Sequence, residues 1–165
     1  CIGIDPGKSG GVAIITDETV KVEPCPRTVK DMSMLISICL NDVAAYRTRV
    51  FLEKVWAFPT DPRSTSFTFG QNYGQWQGIL ASHEIKPVLV PPKTWQAHFK
   101  VTKGLPKGKR KKMLKQMAIE RCPSVKRITL KTCDALLIAI YGMEAYLSYK
   151  KNPPWSVPTE GEKVA

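Results

Sequence analysis

The stretch Cys1-Ile2-Gly3-Ile4-Asp5-Pro6-Gly7-Lys8-Ser9-Gly10-Gly11 admits two readings that lead to different folds. A phosphate-cradling loop needs G-x-x-x-x-G-K-[ST] running directly into a helix, so that backbone N–H groups and a helix N-terminus enclose the anion. Here Gly3 and Gly7 are separated by three residues, one too few, and the continuation Val12-Ala13-Ile14-Ile15 is apolar and largely β-branched. That continuation reads as a strand. The stretch is therefore a β-hairpin, with an apolar strand, a Pro-Gly-Lys-Ser-Gly turn and a returning strand. Asp5 then closes a buried strand beside a turn of little bulk, a place where a carboxylate can meet a metal ion.

Outward from this hairpin, Cys1 to Asp5, Gly11 to Thr16 and Val20 to Pro24 form an antiparallel meander of three strands. Thr28 can cap a helix reaching about Tyr46, with Met32, Leu35, Ile36, Cys39, Leu40 and Val43 at helical spacing. Arg49 to Val55 reads as a strand and Phe58 to Ser64 as a loop. A helix from Ser66 to about Ile85 follows, carrying Gly70, Gly74 and Gly78 on one face, where another backbone could approach closely. A strand over 87–90, a brief helix holding Trp95, a basic helix over Lys107 to Arg121 and a buried helix from Thr132 to Lys150 complete the pattern. The expected fold is α/β in the order β-β-β-α-β-α-β-α, with a mixed five-stranded sheet flanked by helices. Residues 1–150 form one domain and 151–165 a proline-containing flexible tail.

The chain has 165 residues and a net charge of +11. Twelve Lys or Arg and one acid fall between Lys100 and Lys131, and the remainder carries thirteen of each sign. A neutral body with one basic block is the footprint of a polyanion binder, because each neutralised phosphate releases counterions. Nucleic acid is the expected partner. The five cysteines are scattered without a C-x-x-C pair, which points away from a zinc site or disulfide framework and towards a reducing compartment. No apolar run is long enough to span a membrane. The chain opens without Met inside a strand, so a preceding segment is expected.

Three acids occupy positions where an acid is locally unfavourable: Asp5 at a strand end, Glu53 after Val50-Phe51-Leu52, and Asp134 at the start of a buried helix. Separately, Asp134 could serve the helix dipole and Glu53 an edge strand. Together, with the fourth strand beside the first, they converge at one sheet edge. Converging carboxylates require a hard cation, and oxygen donors without His or Cys suit Mg²⁺ or Mn²⁺. Such ions can activate water and stabilise the leaving oxygen of a phosphodiester.

The segments Gly3-Ile4-Asp5-Pro6-Gly7, Glu53 after its strand, Phe69-Gly70 with Tyr73-Gly74-Gln75-Trp76-Gln77-Gly78, Pro92-Lys93-Thr94-Trp95, and Asp134-Ala135-Leu136-Leu137-Ile138-Ala139 together resemble the RuvC-type Holliday junction resolvases. The resemblance is to their phage and organellar branch and runs from Cys1 to about Tyr149. It implies an RNase H-like fold and a homodimer that introduces paired nicks into four-way DNA junctions with Mg²⁺ or Mn²⁺. By position it implies Asp5, Glu53 and Asp134 as metal ligands. The family's further ligand, an Asp or His, falls where this chain has Lys131. Three readings are open: a site working with three acids, a register offset by a residue or two, or a substitution that disables cleavage and leaves a junction binder. Lys131 could also contact the scissile phosphate.

For DNA contact the candidates are Lys8 and Lys54 near the acids, and Lys103, Lys107, Lys109, Arg110, Lys111 and Lys112 in the basic block, all as phosphate contacts. Trp56 and Phe58 could stack on bases of an opened junction. Trp76 and Trp95 read as packing residues, and His83 and His98 as uninvolved in catalysis.

Overall fold

A computed structural model describes residues 1–42, 48–56, 62–102 and 104–151 of the chain. Phe58, Lys103, the last turn expected of the first helix and the tail from 152 onward lie outside the described residues. The order is β1 (Ile2–Asp5), β2 (Gly11–Ile15), β3 (Val20–Pro24), α1 (Val29–Asp42), β4 (Val50–Glu53), α2 (Arg63–Ser82), β5 (Val88–Val90), α3 (Pro92–His98), α4 (Lys107–Arg121) and α5 (Cys133–Lys151). The sheet runs β3-β2-β1-β4-β5. β1, β2 and β3 form the antiparallel meander, and β4 pairs parallel to both β1 and β5.

Side chains alternate across a strand, and here the alternation divides the core in two. Ile2, Ile4, Val12, Val50 and Leu52 face Met32 and Ile36 of α1 and Trp76, Ile79 and Leu80 of α2. Ala13, Ile15, Phe51 and Val90 face the other way, against Trp95, Leu114, Ala118 and residues 135–140 of α5. Gly3 shares that second face, and a Cβ built there would stand 2.3 Å from the Ala135 carbonyl oxygen and 2.5 Å from the Ala139 nitrogen. The missing side chain is what lets the backbone of α5 lie directly on β1. Gly142 does the same further along α5, where a Cβ would enter the Phe51 ring.

Local signals account for most helix ends. Thr28 Oγ1 accepts from the Asp31 backbone N–H at 3.1 Å and donates to Asp31 Oδ2 at 2.7 Å, a reciprocal cap that starts α1. α2 begins at Arg63, three residues before the expected Ser66, with Pro62 as its cap residue and the Ser66 N–H bonded to the Pro62 carbonyl. It stops at Ser82 instead of Ile85 because Glu84 adopts a left-handed conformation (φ 57°) and the chain turns, the Ile85 N–H reaching back to the Leu80 carbonyl.

Gly70, Gly74 and Gly78 depart from expectation: a Cβ at any of them meets no atom within 4 Å among the described residues. They therefore do not serve a close contact within the described fold. The face of α2 opposite Trp76, Ile79 and Leu80 is open.

Candidate metal and nucleic-acid site

Alternation puts Asp5 and Glu53 on the α5 face, two residues on from Gly3 and Phe51 respectively. The parallel register pairs Ile4 with Leu52, so the next residue of each strand is one of the two acids. Asp134 lies in the first turn of α5 and one residue before Ala135, whose carbonyl crosses Gly3. The absence of a side chain at Gly3 thus brings the third acid to the other two. Asp5 and Asp134 are buried, at 9% and 8% exposure, and Glu53 is half-buried.

The electrostatics show the convergence. Burial, followed by the charges of Glu53 and Asp134, pushes the Asp5 carboxyl well above the ordinary carboxylate range, with partial relief from Lys111. Burial also raises Glu53, opposed by the indole N–H of Trp95, which donates to Glu53 Oε1 at 2.9 Å. Lys111 Nζ donates to Asp134 Oδ2 at 2.5 Å, and the Cys133 thiol reaches Asp134 Oδ1 at 3.3 Å. Burial and the adjacent carboxylate push that thiol up to about 12, so it remains a donor. Burial works against the Lys111 charge, but Asp134 and Asp5 outweigh it and raise its pKa.

The donor chemistry fits Mg²⁺ or Mn²⁺: three carboxylates, mutually repelling and largely buried, with hard oxygen atoms. Among the described residues, however, no three acids are spaced as a ready cage, and both oxygens of Asp134 are engaged by Lys111 and Cys133. The residues that could hold an ion are Asp5, Glu53 and Asp134, with Asp134 exchanging a partner.

The Lys131 backbone lies beside Gly11, the register partner of Asp5, and no ion pair joins its side chain to the acids among the described residues. Its side chain is exposed, its N–H bonds Thr129 Oγ1 at 3.2 Å, and its carbonyl packs over Gly11 in the turn before α5. The lysine against Asp134 is Lys111, which the sequence groups with phosphate contacts of the basic block. Its placement has a simple cause. α4 packs on α5, and Lys111 is three residues before buried Leu114, on the same helical flank. Trp95, expected as packing, is fully buried as expected and also bonds an acid.

The turn after Asp5 is docked on α2. The Gly7 N–H donates to Asn72 Oδ1 at 2.6 Å, Gly7 has φ 113°, and a Cβ there would meet the Phe69 ring at 2.8 Å. Gly7 thus supplies backbone freedom and close approach, without a role in phosphate cradling.

Around the acids, Lys8, Lys54, Lys107, Lys109 and Lys112 are exposed and Arg110 is half-buried. Trp56, three residues beyond Glu53, is 44% exposed. Phe67 in the second turn of α2 is 74% exposed and was not singled out from the sequence. Its signal was there: Phe67 and Phe69 are two apart, and residues at that spacing on a helix cannot share a face.

No family model and no curated protein sequence matches the chain. Solved structures do. A Thermus thermophilus RuvC structure superposes with a TM-score of 0.55 at 16% identity, covering 89% of this chain and 95% of that one. T. thermophilus RuvC in complex with Holliday junction substrate gives 0.62 at 13% identity, covering 88% and 94%. The chain has the RuvC-like variant of the RNase H-like fold.

Proposed function

We propose that this protein is a structure-specific endonuclease that resolves four-way DNA junctions by metal-dependent phosphodiester hydrolysis. The observation that carries the reading is the meeting of Asp5, Glu53 and Asp134 from β1, β4 and α5 on a sheet shared with a protein solved on a Holliday junction. A divalent ion bound there would supply Lewis-acid stabilisation of the phosphate and a more acidic water. The chain's own residues do the rest. Lys111 brings a fixed ammonium to within 2.5 Å of Asp134, placed to neutralise charge on a phosphate entering beside the acids. Lys8, Lys54, Lys107, Lys109 and Lys112 position the backbone, and Trp56 with Phe67 offers exposed aromatic surface for unpaired bases. A homodimer making paired nicks, of the phage and organellar kind that the five sequence segments together resemble, completes the proposal.

The test is a synthetic four-way junction with Mg²⁺. The wild type is expected to cut it, and Asp5→Asn to lose at least about 10³-fold in rate while binding the junction unchanged, since removing a metal-ligating acid removes the ion's contribution and leaves the phosphate contacts. Retained turnover in Asp5→Asn removes the metal site, and degradation of RNA in place of the junction removes the substrate. Light scattering at twice the chain mass checks the dimer. The alternative is a junction binder disabled because Lys131 stands where a further acidic ligand would be; cutting by Lys131→Asp but not by the wild type would establish it.

A further inference from the structure

Trp95 is fully buried in the core shared by the α5 face of the sheet. A buried indole N–H needs an acceptor, and a backbone carbonyl ordinarily suffices. Here the acceptor is Oε1 of Glu53, 2.9 Å away. The path between the two residues is short and stiff. Glu53 pairs with Val90 across β4 and β5, and the Lys54 N–H bonds the Val90 carbonyl at 2.8 Å. Pro91 and Pro92 then fix the entry to α3, with the Thr94 N–H on the Pro91 carbonyl. Five residues after pairing with Glu53, the chain returns an indole to the same residue's carboxylate. Strand pairing, the Pro-Pro link and the hydrogen bond close a ring of contacts around one side chain.

We propose that Trp95 is a positioning residue for the metal-binding acids: its N–H holds one oxygen of Glu53, fixing the carboxylate rotamer and leaving the second oxygen to the cluster with Asp5 and Asp134. The proposal rests on the reading that these acids take a divalent cation. The indole of Trp95 is fully buried and its N–H is spent on Glu53 Oε1 at 2.9 Å, so the bond ties the carboxylate to the packed core. Without the indole N–H, the carboxylate is freer to turn aside, and a well-placed ligand is lost. Replacing donors of this kind commonly weakens metal binding about 10- to 100-fold.

The experiment uses the full chain and Mn²⁺ alone, followed by titration calorimetry, with junction binding measured separately in EDTA. Trp95→Phe keeps an aromatic ring and removes the donor. It is expected to raise the Mn²⁺ dissociation constant at least about tenfold and to leave junction affinity within about twofold. In a Glu53→Gln background the same change is expected to have no further effect on Mn²⁺ binding, whereas a merely structural tryptophan would weaken both backgrounds alike. If Trp95→Phe does not fold, benzothienylalanine at position 95 retains the bicyclic ring with sulfur in place of N–H, and the same outcomes apply. A folded variant that binds Mn²⁺ with the wild-type constant overturns the proposal and leaves the metal site standing. A wild type that takes no Mn²⁺ overturns the metal site and the proposal together.

Discussion

On the α5 face of the sheet, Gly3 and Gly142 leave no room for a side chain: a Cβ at either would stand 2.3 Å from a backbone carbonyl or an aromatic ring. On α2, which covers the opposite face, Gly70, Gly74 and Gly78 meet nothing within 4 Å among the described residues. The same residue type does opposite things. In the first region glycine is a condition of the fold, since α5 must touch β1 for Asp134 to reach Asp5. In the second, each glycine costs the helix about 1 kcal/mol relative to alanine, and no contact within the described fold repays it. A packed face assembles the acids, and an open face offers surface.

The comparison can be broken most sharply at the acids. Lys111→Met keeps the stem of the side chain and removes the ammonium bonded to Asp134. A loss of about 10²- to 10³-fold in junction cleavage is expected, with junction affinity nearly unchanged, by analogy with removal of a preorganised charge or donor. Cleavage within a few-fold of wild type would reduce Lys111 to a structural partner of Asp134. Next in size is Gly3→Ala, which should cost about 3 kcal/mol or more in urea unfolding, because the added methyl collides with α5 backbone that cannot rotate away. A loss under 1 kcal/mol would mean that α5 can stand off the sheet.

Asp5→Asn should raise the melting temperature without divalent ions at neutral pH by about 2–4 °C, since a carboxylate repelled by two others is replaced by a neutral amide. The sign follows from the raised pKa. Stability that depends on a protonated Asp5 is present at and below its ordinary value of 3.8 and is lost as pH rises through the higher folded value. The advantage of Asp5→Asn should therefore grow with pH from about 4 upward, and an advantage that shrinks would contradict the buried, repelled acid. On the open face, Gly74→Ala should stabilise the isolated chain by about 1 kcal/mol. Destabilisation there would show that the face is covered in solution. The smallest effect belongs to Lys131→Met, expected to change cleavage by less than about twofold because that side chain is exposed and the ion pair to Asp134 is made by Lys111.

Much of this architecture is written locally. The short apolar runs Ile2 to Ile4 and Val50 to Leu52 marked the strands. The one-residue mismatch to a phosphate loop and the β-branched run after Gly11 defined the hairpin, and α4 spans Lys107–Arg121 as its periodicity predicts. Acids at strand ends and a helix start marked Asp5, Glu53 and Asp134 because an acid in an apolar setting is costly enough to stand out. Those features depend on neighbours within a few residues, and sequence records such neighbours directly.

Which side chains from different elements meet was decided by packing alone. The resemblance drew attention to Lys131, three residues before Asp134, but that side chain is exposed and the lysine bonded to Asp134 is Lys111, delivered by α4. Likewise the Trp95 bond to Glu53 spans 42 residues, and the docking of Gly7 on Asn72 spans 65. The open face of the α2 glycines belongs with these. Spacing fixes which residues share a helix face, whereas what that face touches depends on how separate elements come to rest against one another.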